Sequence, residues 1–210
     1  MPIVWNNHLK LIITDVDDTI APSHETVKPE MAGLLDKLLN DGLVLFMISG
    51  SEVSYIFDRV VRQIKPHLRR RIIIGHCNGV EAWGFDKLGQ LISPSYYNLY
   101  EERLSEKQRG SFREVAQKLI DEFHFKTHPR MPRAEFTKRT DANPTSVIFE
   151  DKGTMISFGL HNATDLSAEQ TSLFKIDVPQ TLGKHDLRIP FVERANELFA
   201  QFDVPITAIL

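Results

Sequence analysis

The feature that most constrains this chain is a unit that recurs through its first half: a short β-branched run, a polar loop, and an amphipathic helical stretch. Residues 9–14, Leu-Lys-Leu-Ile-Ile-Thr, stop at the acidic cluster Asp15-Val16-Asp17-Asp18-Thr19. From Pro29 the apolar residues Met31, Leu34, Leu35, Leu38 and Leu39 recur at helical spacing, with Pro29 suited to a first turn and Gly42 to a helix end. Residues 43–48 form an apolar run followed by Ser49-Gly50-Ser51, and Val53, Ile56, Phe57, Val60, Val61 and Ile64 trace a second amphipathic helix. A third run, Ile72-Ile73-Ile74, leads into Gly75-His76-Cys77-Asn78-Gly79. Strands joined by helices of this length become sheet neighbours through right-handed crossovers, which make them parallel. The spacing therefore predicts an α/β fold, a doubly wound, Rossmann-like parallel sheet. All three polar loops fall at carboxyl ends of strands, where such sheets bind ligands.

After Asn78 the pattern changes. Residues 80–85 and 88–92, separated by Asp86-Lys87, read as a hairpin, and Ser93-Pro94-Ser95 as a linker. These signals place a core domain at 1–93 and a second domain at 94–210. The second domain carries a long helix marked by Phe112, Val115, Ala116, Leu119, Ile120 and Phe123. A hairpin of residues 145–150 and 154–160 around Asp151-Lys152-Gly153 follows, then a helix opened by Pro190 and a strand-like stretch at 204–210. Its mixed content predicts an α+β cap.

Composition narrows the function. The 25 Lys and Arg against 28 Asp and Glu give a net charge of −3, without the clustered basic excess of a nucleic-acid-binding module. Cys77 is the single cysteine, so no intrachain disulfide forms and a reducing cytoplasm is the expected home. Residues 1–8 lack the basic and apolar regions of a leader, and no window approaches the roughly 18 apolar residues of a membrane span. The expected partner is a small molecule; oligomeric state is not legible.

Two carboxylates at i and i+2, just past a strand, face one side of the chain. Asp15 and Asp17 are thus placed to bind Mg²⁺ or to divide labour between a nucleophile and a proton carrier. Ser49 with the Gly50 amide at a helix N-terminus suits an anion, although Ser49 or Ser51 as a plain helix cap fits the same pattern.

Asp15-Val16-Asp17-Asp18-Thr19 resembles the Asp-x-Asp-x-Thr signature of the haloacid-dehalogenase-like phosphatase superfamily, and Ser49 and Asn78-Gly79 resemble its second and third loops. The resemblance implies that Asp15 attacks phosphorus to give an aspartyl-phosphate and that Asp17 is the general acid/base. It implies Mg²⁺ on the Asp15 side chain and the Asp17 backbone carbonyl, and phosphate contacts from Thr19, Ser49 and Gly50. Asp18 stands where many members have Gly, so it points away or tunes the loop.

A cap entering after the third strand resembles the type 2 caps of sugar-phosphate phosphatases and eukaryotic-type phosphomannomutases. The stretch at 149–157 is similar to a mutase segment, and this likeness puts His161 near a substrate-gripping arginine of the mutases. With Asn78, Gly79 and the cap residue Arg139, His161 completes the substrate-binding candidates; Arg130, Arg133 and Lys138 share the basic cap segment. The family also uses a Lys and a downstream acidic pair after the cap. No Asp-Asp or Gly-Asp motif follows residue 190, so the expectation is a portion of a longer protein. The functional expectation is an Mg²⁺-dependent phosphohydrolase of a small phosphorylated metabolite, a sugar phosphate first. A sugar phosphomutase and an inactive phospho-ligand-binding protein are its rivals.

Overall fold

The computed structural model describes residues 9–23, 25–162 and 186–209, and the chain divides into two compact units, Met1–Tyr100 and Glu101–Leu210. Residues 1–8 and Leu210 lie outside the described residues.

The first unit runs β1 (Leu11–Asp15), α1 (Pro29–Asn40), β2 (Val44–Ile48), α2 (Val53–Arg59), β3 (Ile72–His76), β4 (Glu81–Trp83) and β5 (Tyr97–Asn98). These strands form one sheet in that order, parallel from β1 to β3 and antiparallel from β3 to β5. It is an α/β unit with a parallel-rich sheet. The hairpin differs from the sequence reading. Residues 88–92 form no strand, only a Phe85–Leu91 bridge closed by Asp86, whose side chain accepts from the Leu88 and Gln90 amides at 2.8 Å each. The partner of β4 is Tyr97–Asn98, which carries the first unit past residue 93 to Tyr100.

Local chemistry sets the helix ends. Pro29 opens α1, where a missing N–H costs nothing. At the other end the Leu43 amide donates to Leu38 O and the Gly42 amide to Leu39 O, both at 3.2 Å, with Gly42 at φ +97°. This is a Schellman ending, and its positive φ is cheap for glycine alone. The second helix is shorter than its apolar stripe predicts. The Arg59 carbonyl accepts from the Val27 amide at 2.9 Å, and the chain continues as a 3₁₀ turn at Val61–Gln63.

Leu45, Met47, Ile72 and Ile74 on one face of the sheet join Leu35 and Leu39 of α1 and Ile56 of α2 in the core, each burial contributing about 1.5–3 kcal/mol. Leu11 and Ile13 on β1 are 43% and 61% exposed, so this strand is not the fully buried one its composition predicts.

The second unit contains α3 (Leu99–Arg103, begun in the first unit), α4 (Glu106–Glu122), β6 (Lys126–His128), α5 (Arg133–Arg139), β7 (Ser146–Asp151), β8 (Ile156–Gly159) and α6 (Arg188–Gln201). β6 lies parallel to β7, and β7 antiparallel to β8. A capping box starts α4: Ser105 Oγ accepts from the Gln108 amide, and Gln108 Oε1 from the Ser105 amide. Phe191 of α6 packs on Phe123, Phe125 and Phe158 with centroids 5.3, 5.6 and 4.9 Å away. The strand expected at 204–210 is absent from the described residues, because Asn196 occupies this backbone, donating to Ala208 O and accepting from its amide. Among the described residues no helix is long and apolar enough to cross a membrane.

Arg194 of α6 donates to both carboxylate oxygens of Glu122 on α4, at 2.7 and 2.9 Å. These bonds hold the Glu122 carboxyl below its ordinary range, against the opposing effect of burial. A carboxyl whose pKa is depressed by folding stabilises the native state above its unfolded pKa, and that contribution is lost as pH falls through the folded value. Both side chains are about a third exposed, which limits the pair to about 1 kcal/mol or less. Glu122→Gln should therefore lower stability by up to that amount in urea unfolding at pH 7, with the difference closing in acid. An undiminished difference at pH 3 would contradict this origin.

Candidate active site

The parallel register aligns the strand ends. Asp15 pairs with Ile48, and Ile48 with Gly75, so the chain leaves β1, β2 and β3 at one level. The loops are then tied to one another. The Ser49 amide donates to Gly75 O at 3.1 Å, and the Asn78 amide to Ser49 O at 2.8 Å. Ser49 Oγ accepts from the Ser51 amide at 3.1 Å and donates toward Asp17 Oδ2 at 3.4 Å. A side chain on Gly50 would meet Asn78 Oδ1 at 3.4 Å.

The acidic loop is a tight turn built on Val16. Its side chain is fully buried, and its carbonyl accepts from the Ile20 and Ala21 amides at 3.0 Å each. Burial of Val16 directs its neighbours Asp15 and Asp17 away from the core, which is the i, i+2 relation expected from the sequence. Thr19 Oγ1 lies 3.5 Å from both Asp15 Oδ2 and the Asp17 carbonyl. Asp18 has φ 56° and accepts from the Ser23 amide and hydroxyl at 2.9 Å each. A left-handed backbone suits Gly best and Asp next. Asp18 thus replaces glycine's freedom with two hydrogen bonds of its own.

Ser49 and Ser51 are both buried, and neither caps α2. The helix starts later, at Val53, and the Val53 amide donates to His76 Nδ1 at 2.9 Å. Gly50 therefore lies ahead of the first helical turn, a correction to its expected place at the helix N-terminus. Asn78 has φ 60° inside the turn Cys77–Gly79, and the Gly79 carbonyl accepts from Tyr97 Oη at 2.9 Å.

The first unit thus brings together Asp15, Asp17, Thr19, Ser49, Gly50, Asn78 and Gly79. Arg139 and His161 belong to the second unit: Arg139 is exposed at the end of α5, and His161 packs edge-on against Phe136 with centroids 5.8 Å apart. Arg130 pairs with Glu150 at 3.5 Å.

One residue of the site escapes the sequence reading. Arg59, 5% exposed at the end of α2, donates to Asp17 Oδ1 at 2.7 Å. Its signal was a cation three residues after Ile56, on the face that otherwise carries the apolar stripe. Among the described residues no group of three or more His, Cys, Asp or Glu forms a metal cluster. The acidic loop offers oxygen donors only, the Asp15 carboxylate and the Asp17 carbonyl.

No family model matches the chain, and no curated protein sequence does. Among solved structures, N-terminally truncated, IMP-bound IMP-nucleotidase of Plasmodium falciparum aligns with 93% of this chain at 11% identity and a TM-score of 0.52. A second structure of Plasmodium falciparum IMP-nucleotidase aligns with 94% at 10% identity and a TM-score of 0.51. The chain spans less than half the length of either, 47% and 43%. A phosphatase of the haloalkanoate (HAD) enzyme superfamily from Bacteroides thetaiotaomicron aligns with 71% of this chain and 53% of its own at 16% identity, with a TM-score of 0.39. With β1, β2 and β3 parallel and a motif loop after each, this chain has the haloacid-dehalogenase-like fold.

Proposed function

We propose that this chain carries the nucleophile and the proton carrier of an Mg²⁺-dependent phosphohydrolase acting on a small phosphorylated metabolite, a sugar phosphate first. The observation that carries this reading is the meeting of two loops from adjacent parallel strands. Asp17 stands 3.4 Å from the Ser49 hydroxyl, and Asp15 stands exposed at the strand end beside Thr19. The fold likeness supports the reaction class, and the IMP-bound relative supports the substrate class, since IMP is a sugar phosphate bearing a base.

In this mechanism an Asp15 carboxylate oxygen attacks phosphorus, and the bond from phosphorus to the ester oxygen breaks. Asp17 gives its proton to that departing oxygen. Asp17, now ionised, takes a proton from water as the water oxygen attacks the phosphorus of the aspartyl-phosphate, releasing inorganic phosphate and restoring Asp15. Thr19, Ser49 and the Gly50 amide orient the phosphoryl oxygens by hydrogen bonding. Asn78 and Gly79 shape the neighbouring wall. The Asp15 carboxylate and Asp17 carbonyl suit Mg²⁺, which binds through one or two carboxylates and keeps places for water and substrate phosphate. Bound there, Mg²⁺ would draw charge from the phosphoryl group and shield it from the Asp15 carboxylate.

Assay of the protein with Mg²⁺ on a panel of phosphate esters tests the reading: turnover is expected, and inertness toward every ester would sink it. Asp15→Asn should abolish turnover with the fold intact, since an amide does not attack phosphorus. Asp17→Asn should cost the first step of a sugar phosphate about 10²–10⁴-fold more than that of an activated aryl phosphate, whose leaving oxygen needs little protonation. Single-turnover measurement isolates that step. Equal losses on the two esters would remove Asp17 from the acid role.

A further inference from the structure

Arg59 is the most fully engaged side chain around the acidic loop. Its Nε donates to Glu25 O, its Nη2 to Pro22 O and its Nη1 to Asp17 Oδ1, each at 2.7 Å. The guanidinium lies over the Tyr55 ring, with Cζ 4.8 Å from the centroid, and the Arg59 carbonyl accepts from the Val27 amide. One residue at the end of α2 therefore grips the segment after β1 at residues 17, 22, 25 and 27.

Two of these contacts are indifferent to chemistry, and the third is not. The planar fork of a guanidinium fixes the directions of its donors. With Nε and Nη2 committed to backbone carbonyls, the Nη1 direction is set, and with it the place of Asp17 Oδ1. The other oxygen, Oδ2, is left facing Ser49 Oγ at 3.4 Å. Charge balance alone would not select Asp17, because Asp18 is the adjacent carboxylate and it bonds Ser23 instead. A buried cation requires a partner, and this one takes the carboxylate whose position matters.

We propose that Arg59 is the positioning residue of Asp17: it acts through that carboxylate, holding it at the mouth of the β1 and β2 loops in the orientation from which a proton is delivered. The inference rests on Asp17 being the proton carrier. A displacement of about 1 Å at such a group is enough to cost about 10²-fold.

Arg59→Lys keeps the charge and loses the fork, and Arg59→Met loses both. In single turnover each should slow a sugar phosphate by about 10²-fold and an activated aryl phosphate far less. Neither should slow a protein that already carries Asp17→Asn. Equal slowing of both esters, or a full further loss in the Asp17→Asn background, would overturn the proposal. Hydrogen exchange of the amides at residues 17–27 gives a second readout that needs no turnover. Exchange at least about tenfold faster in Arg59→Lys is expected, and unchanged protection would contradict the proposal. If the unsubstituted protein hydrolyses no ester, the phosphohydrolase reading fails by itself, and the exchange result still decides whether Arg59 holds the segment that carries Asp17. Loss of the fold in both variants would assign Arg59 to the fold and overturn its positioning role.

Discussion

The in-register pairing of three parallel strands is the constraint on which the site depends. Parallel neighbours run in one direction, so their carboxyl ends share an edge of the sheet, and the loops leaving that edge cannot avoid one another. Here the pairing Asp15–Ile48–Gly75 brings the ends level, so an aspartate loop, a serine loop and an asparagine-glycine turn meet without any long excursion of the chain. Slipping β1 by one residue would exchange its two faces and turn Asp15 toward the helices. Such a slip would take Ile12 out of its packing against the covered core and turn the Asp15 carboxylate into it, which is costly.

On that edge, backbone and charge have separate tasks. Val16 anchors the acidic loop by burying its side chain and offering its carbonyl to several amides, which leaves the flanking aspartates outside the core. Asp18 spends its carboxylate on the turn. Asp17 is held by Arg59 and Ser49, whereas Asp15 stands exposed at the end of its strand. Two carboxylates of one loop thus live in different surroundings, one clamped by a buried guanidinium and one exposed at the strand end.

The sheet and its loops were legible because periodicity and punctuation agree there: β-branched runs end at polar clusters, and Pro29 and Gly42 bracket a helix whose end is a Schellman turn. Legibility failed where a long-range partner overrode the local pattern. The apolar stripe beyond Arg59 reads as helix, yet Val27, far back in the chain, takes the carbonyl that the next turn needs. The second arm of the expected hairpin loses its place to Tyr97–Asn98, and the strand-like end is captured by the Asn196 amide. The clamp on Asp17 was hidden for the same reason. Forty-two residues separate Arg59 from its carboxylate, and only the crossover through α1 and β2 brings the two together.

The most direct test of the account is to catch the covalent intermediate. In the Asp17→Asn protein an activated aryl phosphate should still phosphorylate the nucleophile, while hydrolysis, which needs a base, slows. Acid quenching followed by peptide mass analysis should then find the phosphoryl group on Asp15. A protein that releases the aryl alcohol without a phosphorylated Asp15, or that carries the phosphoryl group on any other residue, would contradict the account.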